Sequence, residues 1–213
     1  HFLRSTAIYR PNLMRKGAYF SDYVLSRTYQ NYSNLGAVEQ VSIVTRPSPQ
    51  DRLRLMDATI TLIPANPHWF RANIDGTNSA GDIGIAPSVS YQHHNIFNGA
   101  EQLNIQLKGA YEFITGNKSS SLGSNYYELG GEVSLTFPQF VFPYLKKSWR
   151  ERPNASTKVS IGLTTQHRPE YTRQFFNTTI NYGWTSMRGR LRHGLDFLDI
   201  NYVRMPWIDD EFR

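Results

Sequence analysis

The chain has 213 residues, of which 39% are hydrophobic and 14% aromatic, and it carries a formal net charge of +6. That length holds one or two domains with a real core, and an aromatic-rich, modestly hydrophobic composition suits half-buried strands better than buried helices. With no cysteine there is no disulfide framework, thiolate nucleophile or cysteine-based metal site, and with mean hydropathy −0.49 and no long apolar run a transmembrane helix is excluded as well.

A transmembrane β-barrel escapes that exclusion, because alternating side chains average out in hydropathy. The chain opens at His1 without a signal peptide and reads as an excerpt from a longer one. A short helix is expected from Pro11 to Arg15, ended by Gly17. Ser21 then caps a second helix with Val24, Leu25, Tyr29, Tyr32 and Leu35 near helical spacing, and Gly36 stops it. Strands follow at 37–45 and 53–63, joined by a turn through Pro47, Pro49 and Asp51. Helix, helix, strand, strand makes a small α+β unit. The stiff Pro64-Ala-Asn-Pro67 segment sets a boundary, with residues 1–65 before it and 66–213 after.

Beyond that boundary no helical period recurs. Strands are expected at 70–78, 83–93, 103–113 and 127–137, then through Val159–Thr165, Phe176–Trp184 and 193–204. The third shows the rule best: Leu103, Ile105, Leu107, Tyr111 and Phe113 take one face, and Gln102, Asn104, Gln106, Lys108 and Glu112 the other. In the last segment the alternation changes phase, which a bulge at Phe197-Leu198 repairs. Such strands are about as long as the roughly 9–11 residues a tilted strand needs to cross a bilayer. Aromatics gather near their ends, as in the girdles of membrane barrels. A soluble β-sandwich also alternates. Strand length and an inner face carrying Gln, Asn, Lys and Glu favour the barrel.

The basic residues are scattered or confined to two turns, 146–152 and 188–192, so nucleic acid is not an expected partner. His93 and His94 point to opposite faces if they lie in a strand, which disfavours a shared metal ion. Glu128 and Glu132 share a face, and a wet lumen with Lys108 or Lys158 nearby explains them better than a general acid and base. No nucleophile elbow or phosphate loop occurs. No catalytic residue, cofactor or metal is expected.

Several ordered segments then resemble a known family. Gly76-Thr-Asn-Ser-Ala-Gly81-Asp-Ile-Gly84, the stretch from Tyr91 to Glu101, and Leu107-Lys-Gly-Ala-Tyr-Glu112 resemble the opening barrel strands of the BamA/TamA superfamily of outer-membrane assembly proteins. Arg168-Pro-Glu-Tyr-Thr-Arg173, Asn181-Tyr-Gly-Trp184 and Leu198-Asp-Ile-Asn-Tyr-Val-Arg204 look most like its TamL-type branch. Gly17-Ala-Tyr-Phe-Ser21 and Leu35-Gly-Ala-Val-Glu-Gln-Val41 resemble steps of the last POTRA domain, a periplasmic β-α-α-β-β unit, though its opening strand has no clear counterpart. The later strands of such barrels, their Val-Arg-Gly-Phe-type loop and the Phe-Thr-Glu-Pro-Trp signature associated with BamA do not occur here. Seven strands do not close a single-chain bacterial barrel, which uses an even number from about eight upward.

The resemblance implies a mainly β protein: a POTRA-like periplasmic domain followed by the first part of an antiparallel transmembrane β-barrel in a bacterial outer membrane. It implies assembly or insertion of client outer-membrane proteins, contact with outer-membrane lipid, and a TamB-like periplasmic partner. The strand-pairing edge falls on Phe70, Arg71, Ala72, Asn73, Ile74, Asp75, Gly76, Thr77 and Asn78. A passive outer-membrane channel with a docking domain is the alternative reading, and a soluble β-rich binding module a weaker one.

Overall fold

The computed structural model describes residues 2–48, 56–79, 82–113, 125–142, 154–186 and 190–208. It opens with two helices, α1 (Ser5–Tyr9) and α2 (Asp22–Ser33), and a two-stranded antiparallel sheet of β1 (Val38–Pro47) and β2 (Met56–Pro64). The expected turn between these strands falls mostly on residues 49–55, outside the described ones.

The first helix precedes Pro11 instead of starting there. Arg10 still donates its N–H to the Thr6 carbonyl, but Pro11 has no N–H with which to add another rung, so the helix stops. Gly17 sits in a separate turn at φ +79°, in the left-handed region.

Helix α2 occupies the expected segment, with Ser21 at the N-cap position but without a side-chain cap bond. Its buried stripe is more polar than expected: Thr28, Asn31, Tyr32 and Leu35 are buried, and Tyr29 is exposed. The polar members earn their burial by holding the irregular chain after α1. Thr28 Oγ1 accepts from the Leu13 N–H, Asn31 Nδ2 donates to the Pro11 carbonyl, and Tyr32 Oη donates to the Ile8 carbonyl at 2.6 Å. Buried polar groups survive in a core when they are paired in this way. Leu3, Ala7, Tyr32, Leu35, Ala37, Val38 and Val41 complete that core, joined by Ala100 from the connection between two strands of the larger sheet. Gly36 is not a left-handed helix stop. A Cβ there would overlap the Gln102 side chain, so the glycine allows the helical unit to approach the sheet.

The larger sheet is a seven-stranded antiparallel meander of β3 (His68–Ser79), β4 (Asp82–His93), β5 (Gln102–Phe113), β6 (Tyr126–Phe137), β7 (Ser156–His167), β8 (Tyr171–Ser186) and β9 (Leu191–Ile208). Each strand pairs with its neighbours in sequence, the arrangement short connections favour. Every expected strand is present, most of them longer than expected. The phase change is also real: Ile180 faces Leu198 and Asn181 faces Asp196, leaving Phe197 as the extra residue of a bulge. A second irregularity lies between the Gln174–Arg204 and Thr172–Trp207 pairs, where Pro206 lacks a ladder donor. Pro87 interrupts β4 on one side only. Its pairing with Ile74 of β3 is kept, while the β4–β5 ladder skips from Ile85–Tyr111 to Ser88–Lys108.

One end of the sheet, here the near end, carries the connections 94–101 and 138–155, and the helical unit packs against it. Asn95 Nδ2 donates to the Phe2 carbonyl at 2.6 Å, the Arg4 N–H to Asn98 at 2.6 Å, and Asn34 Nδ2 to Asn154 Oδ1 at 3.3 Å. Asn98, Ala100 and Asn154, all at positive φ, lie in these same connections. Left-handed non-glycine residues cost energy, so docking the helical unit and shaping these turns are coupled.

Candidate functional site

All nine residues of the expected pairing edge lie in β3. The strand pairs with β4 in unbroken register from His68–His93 to Ser79–Asp82 and, among the described residues, with no other strand. In an antiparallel edge strand alternate residues direct both backbone groups away from the neighbour, so one side of β3 presents unmade ladder bonds. Its side chains are open on both faces: Phe70 is 71% exposed and Ile74 80% on one, and Arg71, Asn73 and Asp75 are exposed on the other. The ends are better held than the middle. Phe70 packs on Tyr91 at 4.8 Å between ring centroids, His68 Nδ1 meets Tyr91 Oη at 2.9 Å, and Thr77 Oγ1 donates to Glu112 at 3.0 Å. Between them, Arg71–Gly76 relies on backbone pairing and packing to β4.

Over its middle strands the sheet is inverted, with apolar side chains exposed and several polar ones buried. Cross-strand register aligns Ala72, Val89, Leu107, Gly131, Leu163, Phe176 and Tyr202 on one rung of one face, with Phe70, Tyr91, Ile105, Val133, Ile161, Thr178 and Ile200 on the next. This face is the exposed one: Leu107 is 59% exposed and Leu129 69%. The opposite face carries the polar residues, and there Ser134 and Ser160 are buried. Soluble monomers rarely expose a contiguous apolar patch larger than a few hundred Å².

That apolar patch is a band with ringed margins. At the far end Tyr111 meets Phe113 at 4.9 Å and Tyr127 stacks on His167 at 4.8 Å. At the near end Phe140 packs on Tyr182 and on Trp184, both at 5.9 Å, and Trp184 stacks on His193 at 5.0 Å. From Tyr127 to Phe137 along β6, at about 3.4 Å per residue, the rings stand about 34 Å apart.

The band also runs obliquely to the rungs. Its far margin passes from Ile83 on β4, on the rung of Phe113, to Tyr202 on β9, three rungs nearer the helical unit. Three rungs are about 20 Å along a strand, and five strand spacings are about 24 Å, so the strands lean about 40° from the normal to the band.

On the polar face one chain of contacts crosses four strands. Lys108 Nζ pairs with Glu128 Oε1 at 3.1 Å, Tyr126 Oη donates to Glu128 Oε2 at 2.7 Å, Gln166 Nε2 donates to Tyr126 Oη at 3.0 Å, and Arg173 donates to Gln166 Oε1 at 2.7 Å. Gly130 makes room for this: a Cβ there would come within 2.7 Å of the Lys108 side chain. The expected sharing of a face by Lys108 and Glu128 is therefore a direct ion pair. The partnership of Tyr126, Gln166 and Arg173 was not foreseen from the sequence, because it depends on register between strands up to 40 residues apart.

His93 and His94 face different neighbours, His93 closing β4 and His94 lying just past its end. His93 sits edge-on to His68 at 4.8 Å, whereas His94 Nδ1 lies beside Gly36. Among the described residues no group of three or more His, Asp or Glu converges as a metal site, and no helix is long and apolar enough to cross a membrane.

Comparison with protein-family models and with curated proteins found no match to this chain.

Proposed function

We propose that β3 to β9 form part of the wall of a bacterial outer-membrane β-barrel, with the helical unit as a POTRA-like domain on the periplasmic side. In this reading the protein assembles other outer-membrane proteins by offering the β3 edge to an incoming strand. The observation that carries it is the inverted sheet with its slanted apolar band. A planar slab of hydrocarbon selects such a band: strands of outer-membrane barrels tilt by about 35–45°, and their apolar belt is about 25 Å tall between aromatic girdles. The roughly 34 Å between the β6 rings, tilted by about 40°, project to about 26 Å. The resemblance of the barrel-strand motifs to the BamA/TamA superfamily supplies the direction, with the helical unit periplasmic and a TamB-like protein as its partner.

Edge pairing supplies affinity through backbone bonds and tolerates varied client sequences, since side chains contribute little. No catalytic chemistry and no cofactor enter the reading.

The test uses the full-length protein with Asn73→Pro and Ile74→Pro made separately. Adjacent residues direct their N–H groups to opposite sides of β3, so one proline removes a donor to β4 and the other a donor to the open edge. The expected result is a folding defect in one variant, and normal folding with slowed client assembly in the other. Normal assembly rates from both overturn the templating step.

A passive channel is the second reading, favoured by the polar contacts from Lys108 to Arg173 on the inner face. Steady ion conductance in planar bilayers, with no effect of the full-length protein on client assembly, selects it.

A further inference from the structure

The slant of the apolar band leaves one corner of the outer face above it. On β7, β8 and β9 the rungs beyond Leu163, Phe176 and Tyr202 change character: Thr165, Gln174 and Arg204 share one rung, and His167, Thr172 and Trp207 the next. On β6 the first of these same rungs still holds Leu129. On the first of these rungs polar side chains thus replace apolar ones on the same face of the same sheet, toward the end farthest from the helical unit.

We propose that this corner binds the phosphate of a lipid headgroup, in the leaflet opposite the helical unit; the inference rests on the lipid-facing reading of the band. Arg204 is exposed and makes no hydrogen bond or ion pair among the described residues. It stands on the lipid-facing side of β9, opposite Gln174. Among the described residues its charge meets no carboxylate, and a guanidinium presents a planar fork of donors that matches phosphate oxygens. Gln174 and Thr165 add donors on the same rung. Beyond the Arg204 rung, and so beyond the apolar margin at Tyr202, His167 lies 4.8 Å from Tyr127 and 6.2 Å from Trp207, rings of the kind that sit at headgroup level. His167 Nδ1 is within 2.7 Å of Thr172 Oγ1, which fixes the ring's orientation. A long arginine at a band margin extends its stem over apolar surface and its charge into the headgroup layer. Among the described residues no such cation occupies the corresponding corner of β4 and β5, where Ile83 and Phe113 hold the margin.

The experiment reconstitutes the full-length protein in phosphatidylcholine bilayers with trace spin-labelled phosphatidic acid or spin-labelled phosphatidylcholine, and reads the fraction of label immobilised at the protein surface. One favourably placed basic residue corresponds to about a fivefold preference for the anionic label. That preference is expected in the native protein, lost in Arg204→Gln and retained in Arg192→Gln, whose residue pairs with Thr185 on the inner-face side of β9. Equal immobilisation of the two labels, or a preference that survives Arg204→Gln, overturns the headgroup site while the lipid-facing sheet stands. Immobilisation of neither label overturns the lipid-facing reading, and the headgroup site with it.

Discussion

Replacing Leu107 with arginine separates a lipid-facing sheet from a water-facing one, because the two make opposite forecasts for the same atom. Leu107 lies in the middle of the apolar band, between Val89 and Gly131 on neighbouring strands, and is 59% exposed. In water, a substitution at such a surface position changes stability by less than about 0.5 kcal/mol. In hydrocarbon, arginine at mid-depth on the outer face of a barrel costs about 2–4 kcal/mol, or about 30- to 900-fold in the folding equilibrium at 1.36 kcal/mol per decade. Gln106→Arg is the internal control, since Gln106 is the adjacent residue on the polar face, opposite Glu132. The assay is reversible urea unfolding of the full-length protein in phosphatidylcholine vesicles. Destabilisation by Leu107→Arg with little change from Gln106→Arg is expected. A neutral Leu107→Arg, or equal losses from both, refutes the assignment of faces.

Four further outcomes follow from contacts elsewhere. Tyr32→Phe removes the buried bond to the Ile8 carbonyl and is expected to cost about 1 kcal/mol, read by hydrogen exchange in α2. Burial, and secondarily the neighbouring Tyr9, raise the Tyr32 hydroxyl above its ordinary value of 10.0. The corresponding stabilisation is complete below about pH 10 and lost as pH rises through the folded value, so this alkaline loss should be smaller in Tyr32→Phe. Gly84→Ala puts a methyl against the Tyr111 carbonyl and the Glu112 and Thr77 side chains; overpacking of about 1–3 kcal/mol is expected in urea unfolding. A double-mutant cycle on Lys108 and Glu128 should return a coupling of less than about 1 kcal/mol, because the Lys108 side chain is half exposed.

Strands were the most legible part of the fold. A two-residue period carried over many positions leaves only one way to turn each side chain, and a slip of one residue would exchange the two faces, so alternation located all seven strands and even the Phe197 bulge. The helical unit was less legible because polar residues bury there. Thr28 and Asn31 are not among the apolar residues that marked the helix, yet they line the core because the carbonyl and N–H groups of 8–13 need partners. Pro87 breaks the usual rule against proline inside a sheet, and only the pairing partners show that its missing donor faces β5. The nine residues that the family resemblance put forward as a pairing edge all lie in β3. The slant of the band was not legible, since it exists only once seven strands are placed in register.

Because the chain contains no cysteine, single cysteines give the most direct test of which face meets lipid. In the full-length protein in bilayers, spin labels at Leu107, Val133 and Ile161 and at the adjacent Gln106, Glu132 and Ser160 are compared for collision with oxygen, which partitions into hydrocarbon, and with a water-soluble nickel chelate. The account predicts period-two alternation, with oxygen favoured at the first three positions and the chelate at the second three. Chelate-dominated collisions at Leu107, Val133 and Ile161 would contradict it.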